Sequence, residues 1–477
     1  MSRVQLTNNR FIKYLLRIAN NKRFKILLSI VTILLVFLFS FLYLKFKLAL
    51  FPCLNGLLMC ASLFLYRSKY RIYSIIFFTS IPTLLSVKSA NIPSFVSINL
   101  IIYIACIIIE TIINRKSLID IDKKRISIFG VLVLYILISF FINVQTLTLT
   151  NTISGVCYLA LPILFLVDQK ADKKLELLIF VFCLSIILSN LFCFVFIYIF
   201  KNYTIEFLNC FISYDYVKEF QIKGDNFRFP GLIGDPNHNS LNIVLATCLV
   251  VLYSIKLKNL KNMLIIFAFF MQPFAVIGGS KTYIICIFLL ILAFLAYFFY
   301  VKKCLLIGLS ITFLTFSIVS FMLLRIGVVG TSILRLLNTD NRGGFFESLT
   351  TGRLSVWKNY LTSILGNPIS CFFGHGVSSS KLYDFHFHNV FIELFWEFGF
   401  FGTIVYLLYF YKFYIKPLKD KNKATYFPLL IIVFFGFTLH ILHDESVYYC
   451  LIISLQLANY YKRRMILKNV NYDIINI

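Results

Sequence analysis

The sequence predicts an all-α integral membrane protein, a polytopic helix bundle, and three observations predict it. First, 60% of the 477 residues are apolar and 14% are charged, with a mean hydropathy of +0.86. A soluble domain averages about 45–50% apolar and about 25% charged. Second, apolar stretches recur from Ile26 almost to the C-terminus, each near the roughly 20 residues that a helix needs to cross a bilayer. Third, the basic residues alternate with those stretches. With the N-terminus in the cytoplasm, 32 of the 46 Lys and Arg fall in tails and loops on the inner side, as the positive-inside bias requires.

Taken in order, the first seven candidate spans cover 26–44, 48–66, 72–87, 93–113, 126–142, 152–167 and 175–200. The first span follows a basic tail, and no small-residue cleavage site follows Ser40, so it reads as a retained helix rather than a signal peptide. These spans make up an N-terminal unit, 1–200. Outer loop A, 201–238, comes next. Spans 239–255, 262–278, 282–301 and 304–324 fill 239–324. Outer loop B, 325–388, separates the eleventh span from the twelfth. Spans 389–411, 426–441 and 446–461, with a basic tail, complete 389–477. The total is about 14 helices (12–14, since 72–87 and 152–167 are short), with both termini cytoplasmic.

The net charge of +26 is therefore a topology signal, and anionic lipid headgroups are its partner. Nucleic acid is excluded, because no basic face accompanies a folded soluble domain. The 12 cysteines form no CxxC pair and lie mostly within spans, where cysteine acts as a small hydrophobe. The inner loops are short and carry no glycine pattern for nucleotides. Any chemistry belongs on the outer face, where ATP is absent, so the substrate must arrive already activated.

Loop B carries a helix of its own. In LSVWKNYLTSIL, Leu354, Trp357, Leu361, Ile364 and Leu365 fall on one stripe. Thr350 and Thr351 precede it and Gly366-Asn367-Pro368 stops it. It is too short to span and is expected to lie on the membrane surface or to pack over the spans. Arg353 sits in its first turn, where a cation opposes the helix dipole by about 0.3–1 kcal/mol. A bound anion would reverse that cost.

Four clusters fall at the outer boundary: RFPGLIGDPNHNS at 228–240, GGSK at 278–281, TGRLSVW with GNPISCFFGHG in loop B, and FHFHNVFIELFWEFGFFG at 385–402. Each has a structural reading as well as a chemical one. Asp-Pro-Asn is a good turn. GGSK makes a tight turn with a snorkelling lysine. Arg353 suits a lipid headgroup. His386 and His388 form an HxH pair near Asp384 and Glu393, but a catalytic zinc needs a third firm ligand, so no metal is implied. Together the clusters place several cations and a histidine on one face.

On these residues the chain resembles the O-antigen polymerase and ligase superfamily of bacterial envelope glycosyltransferases. The resemblance rests on Arg228 with Gly231, Gly234, Asp235, Pro236 and Asn237, on Ser280-Lys281, and on Arg353 with Trp357. It continues through Asn367-Pro368, Gly374 and Gly376, then His388-Asn389, Glu393, Gly399 and Gly402. It covers 228–402. One departure is Lys281, where the family usually has arginine; lysine binds phosphate as a point charge without the planar fork.

The resemblance implies a glycan transferred from a polyprenyl-pyrophosphate-linked oligosaccharide donor to an acceptor carried in the same way, on the outer face of the bacterial cytoplasmic membrane. It implies no cofactor, and a chain-length regulator and a flippase as partners. His388, with a reference pKa of about 6.5, suits a general base. Arg353 and Lys281 would stabilise charge on the departing pyrophosphate. Arg228, Asp235, Asn237, Ser280, Trp357, Asn389 and Glu393 are the substrate-binding candidates. Polymerase is preferred to ligase, which would transfer the glycan to lipid A core or a protein. A lipid-linked oligosaccharide flippase is the rival from another class. It would show internal repeats, broken helices and ionisable groups at mid-membrane.

Overall fold

A computed structural model describes residues 123–144, 149–167, 175–199, most of 229–254, 261–297, 353–377, 387–419 and most of 426–458, with Leu147, Ser379 and scattered positions between 31 and 107. Among these residues the structure is helical, without a strand. The expected spans 26–44, 48–66, 72–87, 93–113 and 304–324 lie largely or wholly outside the described residues, as do both termini, most of loop A and much of loop B.

In chain order the helices are α1 (Lys123–Ile142), α2 (Leu149–Val167), α3 (Leu175–Ile199), α4 (Pro236–Ser254), α5 (Lys261–Ile277), α6 (Lys281–Tyr297), α7 (Arg353–Gly366), α8 (Pro368–Phe373) and α9 (Val390–Phe410). A π-helical turn, Tyr411–Ile415, and α10 (Lys416–Lys419) continue α9, and α11 (Phe427–Gly436) and α12 (Ser446–Ala458) follow. Among the described residues, three segments are long and apolar enough to cross a membrane: Arg125–Ile142, Leu175–Val195 and Val390–Leu418. Leu264–Ile277, Thr282–Leu292, α11 and α12 are apolar but shorter.

The centre of the bundle is α4. Leu241, Ile243, Val244, Leu245, Ala246, Cys248 and Leu249 are all fully buried. A helix apolar on every side is stable only when covered on every side, and α3, α5, α6 and α11 pack around it. Side-chain hydrogen bonds pin that packing. Asn239 donates to Asn190 on α3 at 2.8 Å, and Gln272 on α5 links Thr247 on α4 at 2.8 Å to the Tyr283 hydroxyl on α6 at 2.7 Å. Such bonds are worth about 1 kcal/mol each between membrane helices. The outer faces are the reverse: α1 exposes Leu134, Ile138 and Phe141, and α6 exposes Ile285, Phe288 and Leu292. Apolar side chains on the outside suit contact with lipid.

The loop-B helix forms over the residues that periodicity marks. α7 begins at Arg353 and ends at Gly366. Its packed edge takes two members of the expected stripe and adds Tyr360. Trp357, Tyr360 and Ile364 face inward, onto Phe387, Ile392 and Trp396, while Leu354, Leu361 and Leu365 are exposed. The Asn367-Pro368 stop is at once a new start. Asn367 caps α8, its side chain accepting from the Ile369 and Ser370 amides, with Pro368 at the first helical position.

Candidate functional site

The site is built where α4, α6, α7 and α9 begin. Asp235 opens α4, its carboxylate accepting from the amides of Asn237 at 2.6 Å and His238 at 3.2 Å. This is the turn that Asp-Pro-Asn favours. Just upstream, Gly231 (φ +62) lies so close to Asn239 that a Cβ would meet its Cγ at 2.8 Å. The Phe229 amide donates to the Ile277 carbonyl at 3.3 Å, so Phe229 lies against the Gly278-Gly279 turn. Ser280 is buried, and its Oγ has no hydrogen-bond partner among the described residues. It immediately precedes α6, whose first amides have no intrahelical acceptor, and Lys281 opens that helix.

Arg353 and α6 meet on a third element, the turn after α11. The Arg353 Nη1 donates to the Thr438 carbonyl at 2.9 Å, and the Thr438 hydroxyl bonds that of Thr282 at 2.8 Å. The start of α9 reaches the same turn. Val390 packs on Gly436, and the Phe391 and Phe437 rings lie 4.8 Å apart.

His388 stands just before α9 with φ +47, the one described non-glycine residue in the left-handed region. That conformation costs about 1 kcal/mol or more and persists only where neighbours fix it. They do so on both sides. Trp357 Nε1 donates to the Phe387 carbonyl at 2.7 Å, and the Asn389 side chain caps α9 through the amides of Phe391 and Ile392 at 2.9 and 3.3 Å. Trp357 and Asn389 thus hold the backbone around His388. Glu393, one turn into α9, is buried.

The glycine motif has a backbone explanation. α9 is broken at Gly399 (φ 58, ψ −168), contrary to the continuous helix expected for 389–411. The break exposes carbonyls that the helix would have paired, and the Gly374–Gly376 segment takes them. The His375 amide donates to Trp396 O at 2.8 Å and the Gly376 amide to Glu397 O at 3.0 Å. The Tyr135 hydroxyl on α1 donates to Phe398 O at 2.6 Å. A Cβ at Gly374 or Gly399 would strike the backbone of the other strand of this contact, and one at Gly402 would strike the Tyr135 ring. The His375 ring stacks on Trp396 at 3.9 Å, and burial lowers its pKa below the ordinary histidine value.

A buried pair escapes the sequence reading. His238 Nδ1 lies 2.9 Å from Asp444 Oδ2. Asp444 also accepts from the Ser446 amide at 2.9 Å, and the Ser446 hydroxyl touches both Asp444 and Asn242. Burial disfavours the imidazolium of His238. The hydrogen bond to Asp444 and the fields of Asp235, Asp444 and Glu393 outweigh it and raise the pKa. Burial likewise opposes the Asp444 carboxylate, but its bonds to His238 and Ser446 hold the pKa below the usual value. The available signal is HDES at 443–446, a knot of charge between two apolar runs.

The structure therefore brings Asp235, Asn237, Ser280, Arg353, Trp357, His388, Asn389 and Glu393 onto one set of helix starts. Arg228, Gly234, Asp384 and His386 lie outside the described residues, and Lys281 is placed by its backbone alone. Among the described residues no three His, Cys, Asp or Glu groups could hold a metal ion. No family model matches the chain, and no curated protein matches it.

Proposed function

We propose that this protein is a polysaccharide polymerase, joining polyprenyl-pyrophosphate-linked oligosaccharide units on the outer face of the bacterial cytoplasmic membrane. The observation that carries the reading is the shared turn at Thr438, which ties Arg353 to the helix opened by Ser280-Lys281 and meets the start of α9 behind His388. That grouping gathers the Arg353 guanidinium, the N-terminus of α6 and the start of α9 at one turn.

In this reading a sugar hydroxyl of one unit attacks the anomeric carbon of another. His388 takes the hydroxyl proton as the new C–O bond forms. The old anomeric C–O bond breaks, and its electrons leave on the polyprenyl pyrophosphate. Arg353 and Lys281 stabilise that charge, and the amides at the start of α6 add to them. The proton passes from His388 to solvent. In a strain dependent on this protein, His388→Ala and Arg353→Ala leave inserted protein but abolish long glycan chains. Normal chain-length ladders from both would refute the assignment.

One observation favours a second reading. The break in α9 beside the buried Glu393 and Glu397 is a feature of transporters with discontinuous helices, and a flippase for lipid-linked oligosaccharide would use it. Lipid-linked repeats that still cross the membrane in a deletion strain, but stay unpolymerised, decide for the polymerase. Polymer formed without any lipid A core or protein acceptor decides against a ligase.

A further inference from the structure

The turn between α11 and α12 holds two contacts that no single cluster in the sequence contains. At one end Thr438 takes the Arg353 guanidinium on its carbonyl and the Thr282 hydroxyl on its own hydroxyl. At the other end Asp444 is bonded to His238 at the start of α4. The two ends stand six positions apart in the sequence. Thr438 N and Leu439 N donate to Phe435 O at the close of α11, while Asp444 N donates to Ile441 O and Val447 N to Asp444 O. Leu439, Ile441 and Leu442 are buried in the core between them, so a shift of Asp444 has only a short, packed stretch of chain to cross before it reaches the Thr438 carbonyl.

We propose that His238 and Asp444 are a positioning pair for Arg353. They pin the 437–444 turn to the start of α4 and thereby aim the Arg353 guanidinium and the first turn of α6 at a common point. The inference deepens the polymerase reading and rests on it for the chemical role of Arg353. Neither His238 nor Asp444 need touch substrate.

The pair is a charge pair, which gives it a pH signature. The groups facing His238 are Asp444 from the turn, Asp235 from its own helix start and Glu393 from α9. All are acidic, so the imidazole keeps its proton above the ordinary value of about 6.5. A raised folded-state pKa means that the anchoring is fully present below the unfolded value and is lost as pH rises through the folded one. Loss of positioning then appears on the alkaline side. A general base at His388 fails on the acid side, so the two histidines act on opposite limbs.

The test uses full-length protein in lipid nanodiscs, with His238→Gln, Asp444→Asn and the charge-keeping Asp444→Glu. Hydrogen-exchange mass spectrometry reads the first turn of α7, 353–357, and the turn 437–444. Both segments exchange at least about tenfold faster in His238→Gln and Asp444→Asn than in wild type, and Asp444→Glu restores much of the protection. In polymerisation of lipid-linked repeats, kcat falls about 10- to 100-fold with little change in the donor KM, as for a misplaced catalytic group, and the alkaline limb disappears from His238→Gln. Wild-type exchange at 353–357 in both uncharged variants overturns the proposal, as does an alkaline limb that survives in His238→Gln. If the wild-type protein makes no polymer while exchange at 353–357 still follows the pair, the polymerase reading falls and the positioning stands.

Discussion

Replacing Gly399 by alanine tests the interlock between the break in α9 and the Gly374–Gly376 segment. Gly399 has φ 58 and ψ −168, a region that only glycine occupies without strain, so alanine there costs about 1–3 kcal/mol in backbone energy. The added methyl would also lie 2.7 Å from the carbonyl atoms of Phe372, and closer still to the Gly374 amide. These are backbone atoms that cannot rotate away. Relief requires the Gly374–Gly376 segment to retreat, which breaks the bonds from His375 N to Trp396 O and from Gly376 N to Glu397 O. Unpairing buried groups costs about 1–3 kcal/mol each. The sum is about 3–9 kcal/mol, a large share of a typical stability of about 5–15 kcal/mol. Gly130→Ala is the internal control, since a Cβ there meets nothing within 4 Å and helix propensity favours alanine by about 1 kcal/mol. Thermal unfolding in detergent micelles, followed by circular dichroism, should put Gly399→Ala far below wild type and Gly130→Ala at or above it. Equal stability of the two variants would refute the interlock.

Two smaller perturbations follow from the same geometry. Tyr135→Phe removes the hydroxyl that serves Phe398 O at 2.6 Å and Phe373 O at 3.0 Å. It should destabilise by about 1–3 kcal/mol, read in the same unfolding assay. Asn367→Ala deletes the cap of α8 and should cost about 1 kcal/mol, while an added Asp at that position, as Asn367→Asp, should cost little.

The helical class, the membrane-like hydropathy and α7 were legible because each depends on local pattern. Apolar periodicity and an Asn-Pro stop place α7 within a residue of its ends. The apolar stripe of α7 is divided in the structure: Trp357 and Ile364 pack inward, while Leu354, Leu361 and Leu365 are exposed. Tyr360, which lies off that stripe, also turns inward, where aromatic partners await it. The break at Gly399 was hidden as well. Phe398, Phe400 and Phe401 continue the apolar run across it, and nothing nearby signals that His375 and Gly376 will supply the missing amides. His238 and Asp444 stand 206 positions apart, so no spacing rule could pair them. By sequence Asp235 and Asn389 are substrate-contact candidates, and in the structure both cap helices. Asp and Asn at a helix start serve capping and binding equally well, and sequence does not distinguish the two uses.

The most direct measurement of the central claim gives purified protein in nanodiscs only polyprenyl-pyrophosphate-linked repeat units, with no core lipid, protein acceptor or nucleotide. Products are resolved by chain length. The account predicts a ladder of longer lipid-linked glycans from wild type, with release of polyprenyl pyrophosphate, and no ladder from His388→Ala or Arg353→Ala. Repeat units recovered unextended from active, folded wild-type protein, or a ladder undiminished in both variants, would contradict it.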